Sequence, residues 1–258
     1  MTKATPSTIY GPVKSWRLGV SLGVDLLCVD SICSFECVYC QLGKINRVTN
    51  ARALFVSTAK VLEDLQKSAW QKADVITFSG SGEPTLAANL GEVIEKIKKL
   101  TRKPIVVLTN STLLHEPQVR REISKADKIF CKLDAWSDSI LRRVNHPHDE
   151  ISLASIISGI CELRREFNGF LALQTMLLRA PGEPETEQLA KIIQLIKPDE
   201  VQLNIPSRPV PHEYFPETRG NAVEFQKGFT QIRTIPKNDL ENVRRKLSEL
   251  TKLPIITR

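Results

Sequence analysis

Three cysteines lie close together near the start of the chain. They are Cys33, Cys37 and Cys40, at spacings of four and three residues. Thiolates spaced in this way on one loop can converge on a single metal centre. A structural zinc site needs four ligands, and no fourth Cys or His follows at a suitable spacing. Three protein ligands leave a coordination position open, which is typical of a catalytic centre.

The remaining cysteines, Cys28, Cys131 and Cys161, have apolar neighbours in the sequence. We predict that these three are small buried hydrophobic residues and not ligands. Four of the six cysteines fall within thirteen residues, and the chain starts without an apolar signal segment. This clustering does not fit a secreted disulfide scaffold, because such scaffolds spread their cysteines along a short exported chain.

Composition limits the class of protein. The chain has 258 residues, of which 41% are hydrophobic and 25% charged, so it can bury a substantial core and is too apolar for a disordered chain. No apolar run approaches the ~20 residues of a membrane span. We therefore predict a cytoplasmic globular protein without membrane association. The net charge of +7 is compatible with a nucleic-acid partner, although basic runs such as Arg142-Arg143 indicate solvated helix faces first.

Strand-like and helix-like segments alternate along the chain. The helical segments keep a 3.6-residue apolar period, and they supply the crossovers that parallel strands need. Six such units are fewer than the eight of a closed barrel. We therefore predict an α/β fold, a partial (β/α)6 barrel of the TIM type. The predicted strands are Leu18–Cys28, Asp74–Ser79, Pro104–Thr109, Lys128–Asp134, Phe170–Leu178 and Glu200–Ile205.

The pattern changes after Ile205, where four prolines interrupt the next eleven residues. Residues 240–250 then have the pattern of an amphipathic helix. We predict a barrel over residues 1–210 and an irregular C-terminal extension, residues 211–258, that packs on the same domain and ends in a helix.

Ligands of parallel α/β folds gather at the carboxyl ends of the strands. The cysteine loop follows the first predicted strand, and a second motif, Ser79-Gly80-Ser81-Gly82-Glu83-Pro84, follows the second strand. Strand alternation also places several polar side chains on the inner face of the sheet. These are Thr77, Ser79, Lys132, Asp134, Gln174, Gln202 and Asn204.

The segment Cys33-x-x-x-Cys37-x-Tyr39-Cys40 resembles the signature of the radical S-adenosylmethionine (radical SAM) superfamily. The resemblance implies that the three cysteines hold a [4Fe-4S] cluster. The open iron of that cluster would chelate S-adenosylmethionine, whose reductive cleavage gives a 5′-deoxyadenosyl radical that abstracts hydrogen from a substrate. The protein would orient and enclose these reactive species.

The resemblance also implies positions for the cofactor. Tyr39 would lie near the adenine, and the motif Ser81-Gly82-Glu83 would bind the methionine amino group, with Ser81 standing where the family has a glycine. Other side chains would contact the ribose or carboxylate, or would edge the adenine. The former are Asn110, Lys132 and Asp134, and the latter are Asn204 and Ile205.

Three residues are candidates for a catalytic role: Lys132, Asp134 and His146. Each also has a simpler interpretation. Lys132 and Asp134 can form an internal ion pair that compensates for burial. His146 lies in Asn145-His-Pro-His148, a pattern typical of a solvated loop. A second Gly-Glu-Pro, Gly182–Pro184, has the pattern of a helix start rather than of a binding motif.

Longer segments, including Tyr10–Val24 and Val201–Pro209, are similar to small prokaryotic radical SAM proteins grouped with the wybutosine-synthesis enzymes that modify tRNA. Trp16 departs from that pattern, and residues 211–232 have the character of an insertion, so the substrate stays open. A tRNA, a small molecule or a partner protein that receives a glycyl radical are the alternatives. The expected electron donor is a flavodoxin or ferredoxin. A non-enzymatic iron–sulfur protein fits less well, because such clusters usually have four protein ligands.

Overall fold

A computed structural model describes residues 6–220 and 226–257 of the chain. In chain order the strands are β1 (Ile9–Ser15), β2 (Gly19–Val24), β3 (Ile32–Cys33), β4 (Arg47–Val48), β5 (Val75–Phe78), β6 (Ile105–Thr109), β7 (Lys128–Lys132), β8 (Phe170–Met176), β9 (Glu200–Asn204), β10 (Val210–Pro211), β11 (Phe229–Thr230) and β12 (Ile255–Thr257). The helices are α1 (Thr58–Lys67), α2 (Leu90–Thr101), α3 (Pro117–Ile123), α4 (Asp138–Asn145), α5 (Leu153–Glu166), α6 (Glu183–Ile196) and α7 (Lys237–Thr251).

One eight-stranded sheet organises the molecule, in the order β1-β2-β5-β6-β7-β8-β9-β12. All neighbours from β2 to β12 pair in parallel, and β1 pairs with β2 antiparallel. The sheet thus has two different edges, β1 and β12, which do not pair with each other within the described residues. This architecture confirms the predicted α/β partial barrel.

The two faces of the sheet differ in the residues they bury. Toward the helices, alternate strand residues such as Val107 and Cys131 join the main hydrophobic core. On the opposite, inner face, Val106 and Phe130 belong to a small separate apolar cluster. Because side chains alternate along a strand, Lys132 shares the inner face with Phe130 but lies nearer the carboxyl end of β7. The inner face is therefore apolar near the strand starts and polar near their ends.

All six predicted strands are present as β2 and β5 to β9, with narrower limits. The first was predicted to run to Cys28, but β2 ends at Val24. The reason is Asp25, whose carboxylate accepts the backbone N–H of Leu27 at 2.9 Å and turns the chain. Cys28 lies beyond this turn and is buried, as is Cys131, while Cys161 packs against the core from a partly buried position.

The C-terminal part adds more than the predicted helix. Helix α7 covers the predicted residues 240–250, and it leads into β12, which extends the sheet beyond β9 and which the sequence patterns do not predict. The proline-rich residues after β9 are irregular, apart from the pair β10–β11 and one short helical turn. Part of the predicted insertion 211–232 lies outside the described residues. No helix in the described part of the chain combines the length and the apolar character needed to cross a membrane.

Candidate functional site

A cavity of about 370 Å³ opens at the carboxyl ends of the inner strands. It is lined by side chains from β2, β5, β6, β7 and β8 and from the cysteine loop. The predicted site residues that line it are Cys33, Cys37, Cys40, Gly82, Glu83, Asn110 and Lys132. The sequence motifs that lie far apart in the chain therefore meet in one space.

The cysteine loop rests on the end of helix α4. The backbone N–H of Val38 donates to the carbonyl oxygen of Val144 at 3.0 Å, and that of Glu36 donates to the carbonyl oxygen of Asn145 at 3.0 Å. The last carbonyl groups of a helix have no partner within the helix, so the loop satisfies them. Within the loop, the N–H of Cys40 donates to the carbonyl oxygen of Cys37 at 2.9 Å, which folds the two cysteines into one turn.

The three thiols are free and partly buried. Burial raises the pKa of Cys37 to about 12, and burial together with the neighbouring Cys37 raises the pKa of Cys33 well above its usual value. Metal binding must therefore displace their protons. No three His, Cys, Asp or Glu side chains in the described ranges are arranged to hold one ion. A cubane iron–sulfur cluster fits the three cysteines better than a single ion does, because each cysteine ligates a different iron of the cluster.

The glycines of the second motif allow two close backbone approaches. Gly82 has a φ of +149°, and a Cβ there would lie 1.6 Å from the carbonyl oxygen of Ile32. Gly80 has a φ of +137° and lies directly against the side chain of Asp25. Only glycine tolerates both the positive φ and the lack of space. The motif is thereby fixed against the segment that leads into Cys33, where the N–H of Ile32 donates to the carbonyl oxygen of Ser81 at 2.9 Å.

Glu83 is a buried carboxylate that four donors surround. Its Oε1 accepts from the backbone N–H of Thr85 at 3.1 Å and from the hydroxyls of Thr85 and Thr109, both at 2.7 Å. Its Oε2 accepts from the backbone N–H of Asn110 at 2.6 Å. Burial nevertheless raises the pKa of Glu83 above its usual range. The carboxylate is rigidly held at the cavity wall.

Unlike Glu83, Ser81 does not line the cavity. Its hydroxyl donates to the Asp25 carboxylate at 2.7 Å and lies 3.0 Å from the hydroxyl of Tyr214. Asp25 also pairs with Arg219 at 2.7 Å. The segment after β9 is therefore tied to the second motif through one buried aspartate, and Ser81 belongs to that connection rather than to the cavity lining.

Tyr39, Lys132 and Asp134 form one polar group, in which Asp134 is buried and the other two side chains are partly buried. The Tyr39 hydroxyl donates to Asp134, and the Lys132 ammonium lies 3.2 Å from the same carboxylate and 4.7 Å from the centre of the Tyr39 ring. Burial acts to lower the pKa of Lys132, but Asp134 together with the thiol groups of Cys37 and Cys40 outweighs it, and the pKa is raised. Of these three side chains, Lys132 lines the cavity. The internal ion pair that the sequence allowed is therefore present.

The remaining predicted site residues do not line the cavity. Ile205 packs against the hydrophobic core, and Asn204 accepts a hydrogen bond from Arg17, which itself lines the cavity, at 3.0 Å. His146 is exposed at the end of α4, and its side chain is not part of the lining. The roles assigned to these residues stay predictions.

Several lining residues were not predicted from the sequence. They are cationic or polar side chains from β1, from the turn after it, from the cysteine loop and from the segment after β9: Tyr10, Arg17, Gln41, Arg208 and Arg219. The run of prolines after Ile205 was the available signal, since it marks a chain segment that leaves the sheet and can return across the strand ends.

Comparisons with known proteins point to one family. The family model described as Radical SAM superfamily matches residues 29–196. A UPF0026 protein from Synechocystis is 47% identical over 251 residues, which are 96% of this chain and 94% of that protein. A protein named GTPase Obg from Brachyspira hyodysenteriae is 32% identical over 255 residues, 97% of this chain but only 37% of that protein.

A solved structure shares the fold. Streptococcus suis SuiB bound to S-adenosylmethionine superposes with a TM-score of 0.61 over 89% of this chain, at 14% sequence identity. The chain spans 48% of SuiB, so about half of that protein has no counterpart in the superposition.

Proposed function

This chain belongs to the radical SAM superfamily, and on that premise we propose that it is an enzyme that cleaves S-adenosylmethionine reductively. The superfamily uses a [4Fe-4S] cluster together with S-adenosylmethionine. When bound, this pair supplies a 5′-deoxyadenosyl radical that abstracts a hydrogen atom from the substrate. The proposal extends to Cys33, Cys37 and Cys40 as the ligands of the cluster.

The observation that carries the proposal is the meeting of three free cysteines with the second motif in one cavity. Cys33, Cys37 and Cys40 share its wall with Gly82 and Glu83. The volume of about 370 Å³ lies in the range of small-molecule sites. Three thiolates without a fourth protein ligand leave one iron position for an exogenous ligand.

The chain's own residues would orient that ligand and exclude water. Glu83 presents a fixed carboxylate that suits an ammonium group, and Lys132 presents a cation that suits a carboxylate. Asn110 also lines the cavity and directly follows β6, which lies in the sheet between β5, the strand before Glu83, and β7, which ends at Lys132. The apolar inner cluster around Phe130 closes the space toward the strand starts.

Substrate and partners form the finer part of the proposal. An external one-electron donor such as a flavodoxin or ferredoxin would reduce the cluster. The substrate alternatives are a tRNA, as the group resemblance suggests, a small molecule, or a partner protein that receives a glycyl radical. Product analysis with each class of substrate distinguishes them.

The test is anaerobic reconstitution with iron and sulfide, followed by dithionite and S-adenosylmethionine. We expect wild-type protein to bind four irons and to release 5′-deoxyadenosine. Cys37→Ala should lose both the cluster and this product. Cys161→Ala is the matched control, because Cys161 is free and partly buried but does not line the cavity, and it should retain both. A Cys37→Ala protein with full iron content and undiminished product would contradict the assignment.

A further inference from the structure

Asn145, the last residue of helix α4, touches a predicted cluster ligand. Its side chain is buried, and its Nδ2 lies 3.3 Å from the Sγ of Cys37 and 2.7 Å from the Oδ2 of Asp134. One amide nitrogen carries two hydrogens, so it can donate to both acceptors at once. The amide therefore bridges a thiol of the cysteine loop and a buried carboxylate.

The orientation of this amide is determined by its neighbours. If the group were reversed, its oxygen would face the thiolate and the carboxylate, which are both acceptors. In the observed orientation the Oδ1 of Asn145 is buried and has no hydrogen-bond partner among the described residues. An unsatisfied buried carbonyl oxygen costs about 1–3 kcal/mol. The polar contacts of the Asn145 side chain are therefore the two hydrogen bonds that its nitrogen donates, and its oxygen contributes none.

Asp134 holds the amide in place. Its Oδ1 accepts from the backbone N–H of Met176 at 2.8 Å, and its Oδ2 lies within 3.2 Å of the Lys132 ammonium. The Tyr39 hydroxyl donates to the same Oδ2. The carboxylate is thus fixed from three sides and cannot follow the amide away from Cys37.

A second asparagine repeats the contact at another ligand. The Nδ2 of Asn110 lies 3.6 Å from the Sγ of Cys33 and 2.8 Å from the hydroxyl oxygen of Ser34. Its Oδ1 accepts from Thr112, which fixes the orientation of this amide as well. The shorter contact is that of Asn145, and the inference is made on it.

We propose that Asn145 is a positioning residue that donates an N–H···S hydrogen bond to the Cys37 thiolate and thereby raises the reduction potential of the cluster bound there. The inference rests on the proposed function, because it requires that Cys37 ligates the cluster. Hydrogen bonds to cluster sulfurs favour the reduced state, since that state carries more negative charge on sulfur. Asn145 then makes the cluster easier to reduce by the external donor.

The test measures the potential of the reconstituted holoprotein by an EPR-monitored redox titration. Asn145→Leu removes both N–H donors at similar volume. We expect full iron and sulfide content. At a given applied potential, the ratio of reduced to oxidised cluster should fall about tenfold, which corresponds to a reduction potential lower by about 59 mV for one electron. Asn145→Gln keeps the amide and should recover part of the wild-type potential.

Asn89→Leu is the matched control. Asn89 is also buried with an unsatisfied Oδ1, but its Nδ2 donates to the carbonyl oxygen of Val56 at 3.0 Å and to the hydroxyl of Thr58 at 3.1 Å. Its substitution should leave the potential unchanged. If Asn145→Leu fails to fold or to load, Asn145→Ala, which also lacks the N–H donors and introduces no charge, takes its place with the same expectation.

Two results would overturn the inference. One is a loaded Asn145 variant without the donor that keeps the wild-type potential. The other is an Asn145→Gln protein shifted as far as Asn145→Leu, which would indicate a role in packing only. If the wild-type protein itself binds no cluster, the proposed function fails, and that result is distinguishable from both.

Discussion

Glu83 shows how a single side chain can be placed for binding rather than for stability. Burial raises its pKa in spite of four donors, so the ionised carboxylate is less favourable in the folded protein than in water. Its four contacts are backbone N–H groups and hydroxyls, not cations. A cationic ligand group in the cavity would complete this environment.

We expect Glu83→Gln to weaken the binding of S-adenosylmethionine about tenfold or more. A hydrogen bond to a charged group contributes about 1.5–3 kcal/mol, and the amide removes the charge. Equilibrium binding to reconstituted protein measures the effect. Glu183→Gln is the matched control, since Glu183 lies in the second Gly-Glu-Pro and is exposed at the start of α6. Equal affinity in the two variants would exclude Glu83 from the binding site.

The secondary-structure elements divide into those that the sequence predicts and those that it does not. Strands β2 and β5 to β9 follow from their apolar runs, and the inner position of Lys132 follows from alternation. Strand β1 is not predictable in this way, because most of its residues are not buried and Gly11-Pro12 interrupts it. Strand β12 is too short to give a pattern. The contact of Asn145 with Cys37 spans 108 residues, and no local periodicity encodes it.

Helix α6 confirms the interpretation of Gly182–Pro184 as a helix start. Gly182 is its N-cap, and the carboxylate of Glu185 accepts the backbone N–H of Gly182 at 2.8 Å. Arg179 donates to the same carboxylate and, with the Gly182 N–H, lowers the pKa of Glu185 from 4.5 to about 2. The sequence Gly-Glu-Pro therefore begins a helix at Gly182–Pro184, whereas at Gly82–Pro84 it contributes Gly82 and Glu83 to the cavity wall.

We expect Glu185→Gln to lower the free energy of unfolding by about 0.5–1 kcal/mol at pH 7, the usual contribution of a cap or an exposed ion pair. Because the folded pKa is depressed, this contribution is present above pH 4.5 and is lost as the pH falls toward 2. Urea unfolding of both proteins across that range measures it. A difference that stays constant down to pH 2 would contradict the role of the charge.

At the scale of the whole molecule, the segment after β9 returns across the site and then completes the core. The N–H of Phe215 donates to the carbonyl oxygen of Leu42 in the cysteine loop at 2.9 Å, and Arg219 pairs with Asp25 beneath the second motif. Farther on, Leu240 and Leu247 of α7 are buried in the main core. The boundary predicted at residue 210 thus cuts through contacts that join both parts.

We therefore expect a protein truncated after residue 210 to lose cooperative folding. The cut removes α7 and β12, whose buried side chains include Leu240, Val243, Leu247 and Ile255. At about 1.5–3 kcal/mol for each buried side chain, the loss is about 6 kcal/mol or more, comparable with the stability of a whole domain. Differential scanning calorimetry of the full-length and truncated proteins is the measurement. A truncated protein that melts at the wild-type temperature would instead make residues 211–258 an independent appendage, and the contacts of Arg219 and Phe215 would then be dispensable for the site.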